Sequence, residues 1–426
     1  MKGRLNLFQR TMLRWRELHP YNAVHVLRID TPLDPGRLSR CIADVLTGDG
    51  LTGLVLDPEG GGYEYRGGPA DPEVEVLPAG DAAATIEAAI ERGLNASFPE
   101  RGPLDPFRFF AVDSGTHFHL GLAYDHFIAG GDSIVVLMQD FAAAYVGGAA
   151  RPRRPELYPP AYGPLFLRRL WPLFTGLPGL VELIASCRST ARPNYREGVP
   201  PTNGFRSFRL DAAALAGVLR TTRAWGVTLN DLLLAQLLLA MAPEAGERSQ
   251  GRRRMMAVAS IVNIRAEYQP PATQTFGQFL SSFRVTHPMP RDIGVKELAQ
   301  DVRAATARTK RRRLWLQTLV GIAGSSLVWR RLSADYRARF HAKNYPVWGG
   351  VTLVNVDAQW REAGGGEPPE YIRGVPTGPM APLVVAASTT QGGLQLGFSW
   401  RIAAFDPTTV DNIAARILTG LTSLPP

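Results

Sequence analysis

The sequence predicts an α/β protein built from two lobes. Its 426 residues exceed what one ordinary hydrophobic core accommodates, and strand-like and helix-like segments alternate in both halves. Hydrophobic residues make up 45% of the chain and charged residues 20%, which is the balance of a folded globular protein. A stretch rich in Pro, Gly and Arg spans 147–164. We therefore expect an N-terminal lobe at 1–160, a linker at 161–200 and a C-terminal lobe at 201–426.

The first half contains alternating strand and helix patterns. The predicted strands are 24–29, 107–112 and 117–124, and the predicted helices are 37–47, 82–95 and 133–145. The last two strands flank the turn Gly115-Thr116 and form a predicted hairpin. Residues 125–132 then lie on a loop between a strand and a helix, where side chains and backbone N–H groups can converge on a ligand.

The second half repeats this mixture. The predicted strands are 205–210, 255–261, 351–356, 383–387 and 394–400, and the predicted helices are 212–225, 232–241 and 407–421. Residues 227–231 cap the second of these helices, and Gly392-Gly393 turns the chain between the last two strands. No short sequence repeat relates the two halves.

Two further segments combine large apolar residues and tryptophan with nearby arginines. They are 165–184 and 314–329. Such a pattern suits a membrane surface or a lipid entrance. It equally suits a helix that packs between the lobes while its arginines extend to water, so both interpretations stay open.

The charge balance points to anionic partners. Lysine and arginine exceed the acidic residues by nine, and they cluster at 252–254 and 310–313. Phosphate on coenzyme A or on a carrier arm, a membrane surface or nucleic acid would each fit, as would a merely solvated basic surface. We expect no nucleic-acid partner, because no nucleic-acid-binding motif is present.

Cysteine usage and the N-terminus bear on location. Cys41 and Cys187 are the only cysteines and form no CxxC pair, which argues against a disulfide scaffold and a thiolate zinc site. No apolar run follows Met1, and no run approaches 18 apolar residues, so we expect neither a secretory signal nor a transmembrane helix. The expectation is a cytoplasmic monomer, with peripheral contact at the inner face of the membrane as an option.

His126 is the leading candidate for chemistry. It follows an apolar strand and precedes Gly130-Gly131, and histidine is the side chain best suited to accept a proton near neutral pH. The glycines would let a substrate approach the backbone, whose N–H groups can stabilise an oxyanion. Asp125 or Asp132 can orient the imidazole or cap the next helix. On these residues alone, a buried structural histidine remains the alternative.

Other kinds of site have weaker support. His117 and His119 share one face of a strand, but no carboxylate or cysteine completes a recognised metal-ligand spacing with them, so we expect no metal. The chain has no G-x-S-x-G elbow of a serine hydrolase. It also lacks the glycine-rich fingerprints of nucleotide-binding folds.

The segment around His126 resembles the motif of condensation-domain acyltransferases, which are related to coenzyme-A-dependent acyltransferases and wax ester synthase-like enzymes. Their pattern is His-His-x-x-x-Asp-Gly. The chain keeps the second histidine as His126 and the glycine as Gly131, whereas Asp125 replaces the first histidine and Gly130 the aspartate. Five further segments are similar to segments of the family, and they occur along the chain in the family's order: 21–46, 226–235, 262–265, 276–279 and 353–356.

The resemblance implies two chloramphenicol-acetyltransferase-like lobes arranged in a V around a tunnel, with the active site inside. His126 would act as the general base, beside Gly131 and Asp132. The donor would be a thioester of coenzyme A or of an acyl carrier protein's phosphopantetheine, and the acceptor an alcohol or amine. No permanently bound cofactor or metal is implied. A catalytically inactive binding or scaffold protein of the same fold is the alternative.

The resemblance also implies supporting residues. In the family, the motif aspartate pairs with an arginine, for which Arg265 is our candidate. Because Gly130 stands at the aspartate's place, Asp132 or Asp125 is expected to supply the missing carboxylate. The remaining candidates for substrate binding or structural support are Gly130, Ser133, Asn263 and Asn355.

Overall fold

A computed structural model describes residues 1–147, 177–246, 253–267, 275–290, 292–329, 331–362 and 364–425. The helices of these residues are α1 Leu7–Arg16, α2 Pro35–Asp49, α3 Ala82–Asn95, α4 Gly131–Tyr145, α5 Leu177–Ser189, α6 Ala212–Trp225, α7 Leu229–Ala245, α8 Val295–Arg311, α9 Trp315–Trp329, α10 Ala334–Asn344, α11 Val356–Glu362 and α12 Pro407–Thr422. The strands are β1 Lys2–Arg4, β2 Asn22–Ile29, β3 Leu54–Asp57, β4 Gly62–Tyr65, β5 Val74–Pro78, β6 Gly102–Leu104, β7 Phe107–Asp113, β8 Phe118–Asp125, β9 Asn203–Leu210, β10 Met255–Asn263, β11 Leu280–Pro288, β12 Gly349–Asn355, β13 Tyr371–Gly374, β14 Leu383–Thr390 and β15 Gly393–Arg401.

The N-terminal lobe is centred on a five-stranded sheet with the order β13-β2-β8-β7-β5. Side chains along β2 point alternately to the two faces of this sheet, and both faces are covered by helices. Ala23 and Leu27 belong to the core that includes α2 and α4, whereas Val24 and Val26 pack with α3. A smaller four-stranded sheet, β1-β4-β3-β6, completes this lobe.

The C-terminal lobe is centred on a six-stranded mixed sheet with the order β11-β10-β12-β14-β15-β9. Strand β12 pairs in parallel with both β10 and β14, and the other pairs are antiparallel. Helix α7 is buried almost all round, because its leucines face both the sheet and the helices α8 and α12.

One strand crosses from the second half of the chain into the first lobe. β13 pairs antiparallel with β2, so that Ile372 lies opposite Val26. The two sheets approach closely here. A Cβ atom at Gly397 of β15 would lie 2.1 Å from the carbonyl oxygen of Arg373, so only glycine fits at that position. The boundaries proposed for the two lobes remain a prediction. The pairing of β13 with β2 joins the two lobes, because it adds a strand from the second half of the chain to the sheet of the first.

The structure confirms the predicted mixed α/β architecture and each predicted helix and strand, with ends that differ by a few residues. The elements that were not predicted from the sequence include α1, α8, α10, α11, β11 and β13. Of the two apolar segments, 314–329 forms α9, 177–184 lies within α5, and 165–176 falls outside the described residues, as does most of the 147–164 stretch.

No helix among the described residues is long and apolar enough to cross a membrane alone. Only α6 and α7 together reach that length and composition, and they meet at a bend of 97°.

Candidate active site

The loop between β8 and α4 carries His126, as predicted. Its backbone is fixed by both lobes. The N–H of His126 donates to the carbonyl oxygen of Tyr21 at 3.0 Å, and the Gln278 amide donates to the carbonyl oxygens of His126 and Ala129. The N–H of Gly130 donates to the Gly277 carbonyl at 3.0 Å. Residues 277–278 of the second lobe therefore hold the loop in place.

The His126 side chain is only 8% exposed, yet it lines a cavity. Its Nδ1 lies 3.4 Å from the Gln278 amide nitrogen, and no hydrogen-bond partner of Nε2 is found among the described residues. Burial lowers the pKa of His126 to about 3, with the Arg373 charge acting in the same direction and a hydrogen bond to the Ala129 carbonyl opposing it. The imidazole is therefore neutral near pH 7, the form that a general base requires, and the same burial makes it a weaker base than a solvated histidine.

The cavity beside His126 is formed by both lobes and has a volume of about 140 Å³. Helix α1 supplies apolar walls, and β10, β11 and β12 supply the opposite side. The residues that line it are Phe8, Met12, Trp15, Tyr21, His25, Tyr124, His126, Gly131, Asp132, Ala259, Ile261, Asn263, Leu280, Ser282, Val347, Gly350, Thr352, Leu353, Val354, Arg373, Val375, Pro376, Thr377, Met380, Ala381 and Val384.

Asp132, in the first turn of α4, is the centre of a polar cluster. Its carboxylate accepts hydrogen bonds from the side-chain amides of Gln359, at 2.5 Å, and Asn263. The Nε of Arg265 lies 4.0 Å from the same carboxylate. Arg265 also donates to Ser133 Oγ at 2.5 Å. The carboxylate absent at Gly130 is thus supplied from two residues further along the chain.

Asp125 serves a different purpose. It forms an ion pair with Arg16 of α1, and both side chains are almost completely buried. Burial raises the pKa of Asp125, and the Arg16 guanidinium opposes that effect. Of the two carboxylates considered for Arg265, Asp132 therefore contacts it, whereas Asp125 anchors α1 to the end of β8.

The remaining predicted residues lie at different distances from the cavity. Asn263 lines it. Ser133 accepts a hydrogen bond from the N–H of Gly277 at 3.2 Å and so connects α4 to the second lobe. Asn355 is not among the lining residues. Its side chain caps α11 through the N–H of Ala358 at 2.9 Å and accepts from Thr389, which is a structural position.

Sequence reasoning missed a buried polar group next to Gly131. His25 Nδ1 lies 2.7 Å from the Tyr371 hydroxyl, and its Nε2 lies 3.4 Å from the Tyr124 hydroxyl. Arg373, two residues along β13, is 2% exposed. A histidine within the apolar strand 24–29 was a visible signal. The sequence around Arg373 gave no such signal, because the position of Arg373 in the cavity depends on the pairing of β13 with β2.

The histidines considered as metal ligands lie elsewhere. His117 and His119 stack edge-to-face with ring centroids 5.7 Å apart near the start of β8, and the Glu370 carboxylate accepts a hydrogen bond from His119. Within the described ranges, no group of three or more His, Cys, Asp and Glu side chains is arranged to hold a metal ion.

Comparison with solved structures identifies the fold. The first condensation domain of the calcium-dependent antibiotic synthetase, in complex with a substrate analogue, matches with a TM-score of 0.68 at 16% identity over 100% of this chain and 96% of that one. The EpoB cyclization-docking bidomain from Sorangium cellulosum gives a TM-score of 0.67 at 12% identity over 100% of this chain and 85% of that one. SgcC5 from Streptomyces globisporus, bound to (R)-(-)-1-(2-naphthyl)-1,2-ethanediol and sucrose, gives 0.64 at 14% identity over 99% and 98%.

No family's sequence profile matches the chain, and the search of curated proteins found no significant match. At identities of 12–16% the structural likeness speaks for the fold. It covers the whole length of the chain, including both lobes and the loop of His126. The chain therefore has the two-lobed fold of condensation domains that the resemblance of its His126 motif predicted.

Proposed function

We propose that the protein is an acyltransferase of the condensation type in which His126 is the general base. The observation that carries the proposal is a neutral, buried imidazole that lines a cavity between the lobes. His126 Nε2 would take the proton of the acceptor's hydroxyl or amine while the acceptor attacks the thioester carbonyl. The C–S bond then breaks, and the thiolate leaves with that proton, so the histidine is regenerated.

The donor proposed is a thioester of coenzyme A or of the phosphopantetheine of an acyl carrier protein. The net charge of +9 supports a donor that carries phosphate. A thioester is already activated, so this step requires no covalent enzyme intermediate. The diol bound to SgcC5 supports an alcohol as one class of acceptor, with an amine as the other.

A non-catalytic binding protein is the competing function, because the motif has lost its first histidine and its aspartate. The cavity favours transfer. Large side chains do not fill the space beside His126, and Asp132 reaches Arg265 in place of the lost aspartate.

The proposal is tested with a panel of acyl-coenzyme A and acyl-carrier thioesters and of alcohol and amine acceptors, with products identified by intact mass spectrometry. With the active pair, His126→Ala should lower kcat by about 10²–10⁴-fold, the usual contribution of a general base. His117→Ala is the matched control, because His117 lies just before the start of β8, at the opposite end of that strand from His126. Unchanged turnover in folded His126→Ala would remove the general-base role, and no product with any pair would favour the binding protein.

We also propose a peripheral contact with an anionic membrane surface through α5 and α9. Val181 and Ile184 of α5 are 68% and 47% exposed, and Val320 and Val328 of α9 are also exposed. The cationic cluster 310–313 immediately precedes α9. Exposed aliphatic residues beside cationic ones are the combination that binds the interface of an anionic bilayer.

A further inference from the structure

Arg373 is a buried cation beside the first turn of α4. Its Nε donates to Ser388 Oγ at 2.7 Å, and one terminal nitrogen, Nη2, donates to the carbonyl oxygens of Ala387 at 2.6 Å and Thr352 at 3.1 Å. For the other terminal nitrogen, Nη1, no hydrogen bond is found among the described residues. A Cβ atom at Gly131 would lie 3.2 Å from Nη1, so the glycine leaves room for it.

No carboxylate neutralises Arg373 at close range within the part of the chain that the structure describes. Asp132 is the nearest acidic group that influences it, but the Asp132 carboxylate is held by Gln359, Asn263 and Arg265. A buried arginine without an anion is unfavourable. The geometry therefore leaves one uncompensated positive charge at the wall of the cavity.

Two further features favour an anion at this place. The N-cap of α4 is Gly130, which offers no side chain to the helix start, and the N-terminus of a 15-residue helix carries a partial positive charge. Among the other ionisable groups that line the cavity, Asp132 is acidic, but its carboxylate is held by Gln359, Asn263 and Arg265. His25 and His126 are kept neutral because burial lowers their pKa, and burial raises the pKa of the Tyr21 and Tyr124 hydroxyls, so these four groups carry no charge near pH 7.

We infer that Arg373 binds the carboxylate of the acceptor, which would then be a hydroxy acid or amino acid with an apolar body. This inference rests on the proposed function and names its substrate class. A thioester donor is anchored by its long pantetheine arm, whereas a small acceptor needs a charged group of its own to be held near His126. The walls formed by Phe8, Met12 and Val354 suit an aliphatic or aromatic acceptor body.

A binding experiment tests the inference without any acyl donor. Isothermal titration calorimetry at pH 7 compares hexanoate with its neutral isostere hexanamide. The wild-type protein should bind hexanoate at least tenfold more tightly. Arg373→Gln should abolish this preference, and Arg373→Lys should weaken hexanoate binding severalfold, because one ammonium group does not reproduce the planar fork. Arg92→Gln, which removes a surface arginine paired with Glu75, should behave like the wild type.

Equal affinity of the wild type for hexanoate and hexanamide would overturn the inference, as would a preference that survives in Arg373→Gln. Circular dichroism checks the fold of each variant. If Arg373→Gln does not fold, the wild-type ratio and Arg373→Lys decide the matter, and unchanged hexanoate binding in Arg373→Lys counts against it. Because no thioester is present, a protein that fails to transfer acyl groups but prefers hexanoate would separate this inference from the proposed function.

Discussion

At the scale of residues, the Asp132 carboxylate connects the start of α4 to the second lobe. Gly130 occupies the place of the expected aspartate and forms the start of α4. Asp132 lies in the first turn of α4, so its side chain can reach Arg265 and Asn263 of the second lobe. A carboxylate at Asp132, two residues after Gly130, can still face the second lobe, because the side chains of the first helical turn point in different directions around the helix axis.

Removing the negative charge of Asp132 should weaken the polar contact that this residue makes between the two lobes. Asp132→Asn keeps the size of the side chain but removes the negative charge that accepts hydrogen bonds from Gln359 and Asn263, so we expect the free energy of unfolding to fall by about 1–3 kcal/mol. Urea denaturation measures it. Asp30→Asn is the control, since Asp30 forms an exposed ion pair with Arg28 and should change stability by less than about 1 kcal/mol. Equal effects of the two substitutions would contradict a supporting role for Asp132.

The sequence predicted some of these residues and not others for a physical reason. His126, Gly131 and Asp132 belong to one contiguous loop, so their proximity follows from the chain itself. Arg373 enters the cavity only because β13 adds to the sheet beside β2, about 350 residues away in the chain. A single arginine in a short strand carries no local signal of such a pairing.

At the scale of elements, α1 connects the wall of the cavity to the loop of His126. Its apolar face places Met12 and Trp15 in the cavity, while Arg16 at its end pairs with Asp125 at the end of β8. The helix was absent from the sequence prediction although its start is encoded locally. Asn6 and Gln9 form a reciprocal capping box, which is a recognisable pattern of residue types at a spacing of three.

The ion pair between Arg16 and Asp125 should dominate the stability of this connection. Arg16→Met leaves a buried carboxylate without its cation, and we expect a loss of about 3–5 kcal/mol at pH 7. The pKa of Asp125 is already raised by burial and rises further without Arg16. The folded variant therefore takes up a proton more readily than its unfolded chain, so the loss should shrink as the pH falls from 7 towards 4.

Urea denaturation of wild type and Arg16→Met at pH 7 and pH 4 measures this difference. The double variant Arg16→Met with Asp125→Asn is the control, because a neutral amide in place of the carboxylate removes the unpaired charge. It should recover part of the lost stability at pH 7. A loss that is the same at both pH values, or no recovery in the double variant, would show that the charge of Asp125 is not its cause.

At the scale of the whole molecule, the cavity exists because the two sheets share a boundary. β13 and β15 approach so closely at Gly397 that the lobes cannot be treated as independent bodies joined by a tether. The predicted architecture of two mixed lobes was correct because hydrophobic periodicity defines individual elements. The exchange of β13 was not predicted because long-range pairing depends on the packing of the complete fold.

The outer surface of α5 and α9 carries the last prediction, which concerns membranes. If Val181 and Ile184 insert into a bilayer interface, the protein should float with anionic phosphatidylserine vesicles at low salt, and less at high salt, where basic contacts are screened. Val181→Glu with Ile184→Glu should reduce the floating fraction severalfold, because both side chains are exposed and the acidic replacements are repelled by the lipid charge. Val76→Glu changes a valine on β5 that is 43% exposed; it is the control and should float like the wild type. A wild-type protein that stays at the bottom of the gradient at low salt would assign α5 and α9 to protein packing instead, which is the other interpretation that their sequence allows.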